Sequence, residues 1–160
     1  MKRVVAVILV LVVGWFGGAA LYRAMASDET KIRWVFEDEA AAFNGMALLV
    51  SMEGFASDYR DTTRGITRQQ LRRATAGLFQ YRRLPDGTFR YRVELPEDDY
   101  VATIDGDKAK VDLPLWLFDL ADSDTEPAWN VLVHAELEKR EGVWYIVRST
   151  HDTMAGDLPK

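Results

Sequence analysis

Asp61, His134, His151 and a run of arginines are the residues here whose types and spacing could do chemistry. Asp61 lies in the polar stretch Ser57-Asp-Tyr-Arg-Asp-Thr-Thr-Arg-Gly65. In an apolar pocket such a carboxylate has its pKa raised and can act as a general base. In a turn, the same side chain accepts backbone N–H bonds or pairs with Arg60 or Arg64, which is why turns favour aspartate. His134 and His151 are the two histidines, and histidine is the usual proton shuttle near neutral pH. His151 adjoins Asp152, so the two, with Asp61 nearby, would form an acid/base group if the fold brought them together. The bland reading is a pair of surface or rim histidines. His134 and Glu136 share a strand face, but two groups rarely hold a metal without a third, so no metal site is expected.

Nine arginines, Arg60 to Arg92, fall within 60–92 against only Asp61 and Asp86, and residues 94–127 then hold eleven acids against Lys108 and Lys110. Arg64, Arg68 and Arg72 are the candidate ligand- or partner-binding cations, with Arg68 and Arg72 one helical turn apart. They would dock anionic lipid headgroups or an acidic partner. Alternatively, the basic and acidic blocks neutralise each other within the domain.

The elements that must position these groups follow from periodicity. Ile32, Val35, Phe36, Ala40, Phe43, Met46 and Ala47 recur at spacings of three or four, which predicts an amphipathic helix over about 29–47. Ser27 and Asp28 are its cap candidates. A short helix over about 48–55 and the polar loop 57–65 come next. A third helix is expected from Thr67, its cap, to about Phe79. The period then falls to two, giving strands over 88–95, 99–104, 107–118, 128–140 and 143–151. Asp86-Gly87, Asp105-Gly106 and Glu141-Gly142 supply turns. In the 128–140 strand, Trp129, Val131, Val133, Ala135 and Leu137 should face the core. Helices first and strands afterwards reads as α+β, with helices packed on one face of an antiparallel sheet. Trp116, Phe118, Trp129, Trp144 and Tyr145 suit a core or subunit interface. No Gly-rich phosphate loop, nucleophile elbow or HExxH is present, and no cofactor is expected.

Residues 4–22, VVAVILVLVVGWFGGAALY, contain no charge and follow Lys2 and Arg3. That length suits a bilayer crossing with the amino terminus inside. The inner membrane is then the first partner, and the domain lies in the periplasm or its equivalent. Cleavage after Ala26, in Ala24-Met25-Ala26, is the alternative and would release the same domain outside the cytoplasm. Gly14 and Gly18 form a GxxxG, a pattern common by chance. The absence of cysteine excludes disulfides, thiol catalysis and cysteine-held zinc. The acidic balance of the remaining chain argues against nucleic acid.

Three segments resemble a known superfamily: Ala41-Ala-Phe-Asn44 ending a helix, Phe55-Ala-Ser-Asp-Tyr-Arg-Asp-Thr-Thr-Arg-Gly65 leading into Ile66-Thr-Arg-Gln-Gln-Leu71, and a closing Glu141-Gly-Val-Trp-Tyr-Ile-Val-Arg-Ser-Thr-His151. Together they resemble the nuclear-transport-factor-2-like superfamily, which includes ketosteroid isomerases, scytalone dehydratase and SnoaL-like cyclases. The resemblance implies a cone-shaped curved antiparallel sheet wrapped by about three helices, with an apolar pocket. It implies Asp61 as the position of the isomerases' base, with His151 or Tyr59 assisting. It also implies dimerisation through the open sheet face. Where the isomerases place an oxyanion-stabilising tyrosine on the first helix, this chain has Glu37-Asp38-Glu39, and an ionised carboxylate cannot do that job.

The expectation is therefore a membrane segment over 1–26, a cone-shaped domain over 27–154 and a loose tail over 155–160. The domain is expected to bind an envelope protein or a small apolar ligand, to form a homodimer and to be non-catalytic. The alternative is an isomerase, dehydratase or cyclase using Asp61.

Overall fold

The structure, a computed structural model, describes residues 23, 25–96 and 100–158. The predicted membrane segment at 4–22 lies outside the described residues, and no described helix is long and apolar enough to cross a membrane.

Ser27 caps helix α1 (Asp28–Asn44) by accepting the Thr30 N–H at 3.2 Å. Asp28 and Glu29 in the first turn suit the positive end of the helix dipole. Ile32 and Phe36 are buried against the sheet. Asp28 also takes the Trp144 indole N–H at 3.1 Å and pairs with Lys139 at 2.9 Å. The Lys139 bond, then the Trp144 bond, hold its carboxyl below the usual range and fix the start of α1 to the far end of the sheet.

The short helix expected over 48–55 is only a 3-10 turn, Val50–Met52. The expected polar loop is in fact strand β1 (Phe55–Asp61), running parallel to the last strand. That pairing joins segments about ninety residues apart, so local composition gives no sign of it. Helix α2 (Arg68–Tyr81) begins where expected, with Thr67 and Gln70 forming a complete capping box.

The remaining strands are β2 (Tyr91–Glu94), β3 (Val101–Asp105), β4 (Lys108–Asp119), β5 (Trp129–Arg140) and β6 (Val143–Gly156). Their order is β1-β6-β5-β4-β2, with β3 also paired to β4. Strand β2 takes the Trp116–Asp119 end of β4, while β3 takes the end beginning at Lys108. The fold is α+β as expected, but the six-stranded sheet is mixed rather than antiparallel. Between Asp28 and Tyr81, two helices and one 3-10 turn stand where three helices were expected. Strand β6 runs to Gly156, into the stretch expected as a tail. The β5–β6 turn has Glu141 at φ 53° and Gly142 at φ 83°, the two positive values of a hairpin turn that follows strand twist.

Two apolar clusters join helices to sheet. Ile32, Phe36, Tyr59, Val111, Leu137, Trp144 and Ile146 form the larger. Phe79, Phe89, Tyr91 and Leu117 form the other, with Phe43 packed on Phe79 and Phe89 at 5.5 and 5.3 Å. On β5, Val131, Ala135 and Leu137 are buried on the helix side, as the alternation predicts.

Candidate functional site

Alternation along β5 and β6 divides the polar residues between two faces of one sheet. On the helix side, the Tyr59 hydroxyl lies 2.7 Å from Ser149 Oγ. Burial pushes the Tyr59 phenol above its ordinary pKa. Asp61, at the end of β1, accepts the Arg64 N–H at 2.7 Å, so its carboxylate serves the turn leading to α2. His151 packs edge-to-face on Trp129 at 5.4 Å. Asp152, its neighbour in sequence, points to the opposite face and reaches His134. The structure therefore does not assemble His151, Asp152 and Asp61 into one group.

Asp152 instead completes a clasp across three strands on the helix-free face. His134 Nδ1 lies 2.6 Å from Asp112 Oδ1, and Nε2 lies 3.3 Å from Asp152 Oδ2. The Asp112 bond is the larger cause that raises the histidine pKa, with Asp152 adding to it. No group of three or more residues suited to hold a metal ion occurs among the described residues.

Beside the clasp, a groove of about 650 Å³ crosses the same face. Its walls carry Lys108 and Lys110 on one side and Arg60 and Arg148 on the other, with Glu136 and Glu138 between. Register explains the arrangement: Lys110 sits opposite Glu136, Glu136 opposite Arg148, and Arg148 opposite Arg60. Arg140 is held by Asp58 at 2.8 and 3.0 Å and by Glu138 at 2.8 Å, which raises its already high pKa. Arg148 makes one long contact, 3.5 Å, with Glu136. Arg60, Lys108 and Lys110 have no ion pair among the described residues. A second cavity, of about 220 Å³, lies between α1 and the segment after β2. It includes Tyr100, whose hydroxyl is buried without a partner and whose pKa burial pushes up to about 12.

The three candidate docking arginines divide. Arg68 turns inward, and its Nη2 donates to the Met52 carbonyl at 2.7 Å. Arg64 and Arg72 are exposed. Mutual neutralisation of the basic and acidic blocks appears in two described pairs, Arg90–Asp119 with Nε–Oδ1 at 2.6 Å, and Arg92–Glu94 at 2.9 Å.

Sequence reasoning missed the groove and the clasp, and it took Glu39 only as an ionised carboxylate. Glu39 falls on the buried stripe of α1, three residues after Phe36 and four before Phe43, and that spacing was the available signal. It accepts the Gly54 N–H at 2.6 Å. Burial pushes its pKa up to about 7, outweighing that bond and the nearby Arg68 charge. Lys108 and Lys110 alternate within β4, which was readable, but the strands opposite them were not.

No family model and no curated protein matches the chain. Among solved structures, it is similar to a nuclear-transport-factor-2-like protein with a cystatin-like fold from Novosphingobium aromaticivorans: TM-score 0.65, 15% identity, over 81% of this chain and 84% of that one. A protein from the same organism provisionally named a scytalone dehydratase gives TM-score 0.62 and 13% identity over 80% and 85%. Another, provisionally named an aromatic ring hydroxylase, gives 0.60 and 16% over 80% and 90%. At these identities the likeness shows the fold alone, a cystatin-like α+β fold with a curved mixed sheet.

Proposed function

We propose that this chain is a non-catalytic binding module of the cell envelope. Residues 4–22 hold it in the cytoplasmic membrane, and the folded domain works on the far side. It engages a macromolecular partner through the helix-free face of its sheet. The observation that carries this reading is the 650 Å³ groove on that face, whose Arg60, Lys108 and Lys110 have no internal ion pair among the described residues. On the helix side the polar candidates are engaged: Asp61 in its turn, Tyr59 with Ser149 and His151 against Trp129. Such chemistry depends most on a donor for the developing oxyanion, and the unpartnered Tyr100 hydroxyl lines the second cavity, where Asp61 is not among the lining residues. The membrane placement rests on the uncharged run behind Lys2 and Arg3. Cleavage after Ala26 is its alternative.

A photo-reactive residue placed at exposed Thr103, and separately at exposed Gln69 on α2, tests the reading in intact cells. A discrete adduct is expected from Thr103 and none from Gln69. Adducts from Gln69 alone would overturn it. A carboxyl-terminal alkaline phosphatase fusion should be active, and an inactive one would remove the envelope placement.

The catalytic alternative, an isomerase, dehydratase or cyclase with Asp61 as base, draws on two neighbours' names. It requires proton exchange alpha to a ketone that Asp61→Asn abolishes. The binding reading expects no such exchange by the unmodified protein.

A further inference from the structure

We infer that the groove takes an acidic, extended polypeptide segment, its carboxylates lying along the cross-strand row from Lys110 through Arg148 to Arg60. This rests on the binding reading above and names the chemistry of the partner. Neighbouring strands lie about 4.8 Å apart, so the row, from β4 across β5 and β6 to β1, spans roughly 14 Å. An extended chain rises about 3.3 Å per residue. Acidic residues at alternate positions therefore present carboxylates on one side about 7 Å apart, and three of them cover the row.

Charge selects the occupant. The whole protein carries a formal net charge of −5, yet Arg60, Lys108 and Lys110 on this face have no carboxylate within ion-pair distance among the described residues. At physiological salt, fields fade over about 8 Å, so acids elsewhere on the chain are screened from this face and the small cation excess of the groove lining acts locally. Of the acids lining the groove, Asp58 and Glu138 hold Arg140 and Glu136 contacts Arg148, while Asp105, opposite Lys108, makes no ion pair among the described residues, so five cations face four carboxylates; on the same face Asp112 and Asp152 hold His134. Glu136, in the middle of the row, penalises a dense polyanion more than spaced single carboxylates. A second copy laid face to face would set one cation excess against another. A bilayer surface is flat on this scale, while the cations line the walls of a groove.

The probe is a fluorescein-labelled peptide of alternating Glu and Ser, eight residues long. It is titrated against the full chain in neutral detergent and read by fluorescence anisotropy at low and high salt. Binding that weakens with salt is expected. Lys110→Glu and Arg148→Glu should each weaken it by about tenfold, one attraction being lost and one repulsion added. The pair Arg72→Glu/Arg73→Glu should change it less than twofold. Lys110→Ala, with an unchanged melting temperature, guards against a folding artefact. Absence of binding, or an equal loss in the α2 variants, overturns the proposal. Sedimentation and vesicle binding follow the rival occupants. A dimer dissolved by Lys110→Glu assigns the groove to a second copy, and loss of anionic-vesicle binding in that variant without peptide binding assigns it to lipid. Either result overturns the acidic segment while a Thr103 adduct still stands for the face itself. Loss of that adduct defeats the underlying reading.

Discussion

The two faces of this sheet treat polar groups differently. On the helix side most polar groups are tied to a specific partner, Asp28 to Lys139 and Trp144, Glu39 to Gly54, Tyr59 to Ser149, Arg68 to Met52, while the buried Tyr91 and Tyr100 hydroxyls stand without one. On the helix-free face charges stand in rows set by strand register, and several cations are left over. Burial accounts for the contrast. An unsatisfied buried polar group costs about 1–3 kcal/mol, so an interior pairs its polar groups. An exposed cation costs almost nothing and can await a partner. Changes on the helix side should therefore cost stability, and changes on the open face should cost binding.

The largest effect expected is from Trp144→Ala. The indole is among the most buried side chains and bonds to Asp28. Its removal should cost roughly 3–5 kcal/mol, measured by urea unfolding. A loss below about 1 kcal/mol would mean the larger cluster does not anchor the fold.

Glu39→Gln should come next, with the opposite sign. The folded pKa of Glu39 is about 7 against the ordinary 4.5, so the folded state prefers the proton. Its ionisation therefore costs stability progressively from pH 4.5 upward, and the cost is complete above pH 7. The glutamine variant should be more stable than the parent by roughly 2–3 kcal/mol at pH 8 and equal to it at pH 4. Equal curves at both pH values would show that Glu39 is not buried as described.

Gly54→Ala should destabilise by about 1–3 kcal/mol, because a Cβ there would sit 2.6 Å from Glu39 Oε1 and 3.0 Å from Val35 Cγ1. The cost should shrink in a Glu39→Ala background, which a double-mutant cycle measures.

The smallest effect belongs to the open face. The raised pKa of His134 makes the clasp stabilising in full below the unfolded value near 6.5, and this is lost as pH rises through the folded value. The ring is more than a third exposed, so solvent reduces the effect to a few tenths of a kcal/mol. His134→Ala should flatten the stability profile above pH 6.5 by that amount. A loss of several kcal/mol would move the clasp into the structural class.

Local signals carried the parts of the fold that local physics decides. The Ser27 and Thr67 caps, the stripe of Ile32 and Phe36, and the alternation of Val131, Ala135 and Leu137 were all legible. Strand β1 was not, because Ser57, Asp58 and Arg60 make its exposed side polar and its partner is remote. The site was less legible for the same reason. Asp152 adjoins His151 in sequence, but strand geometry turns adjacent residues to opposite faces. The row from Lys110 to Arg60 exists only once four strands are in register.

The central claim is that the helix-free face is the working face. Hydrogen exchange of the full chain in its native membranes, set against the purified chain, tests it most directly. The account predicts added protection in membranes over Val101–Asp105 and the adjoining end of β4, with α2 (Arg68–Tyr81) unchanged. Protection confined to α2, with β3 and β4 exchanging alike in both preparations, would contradict it.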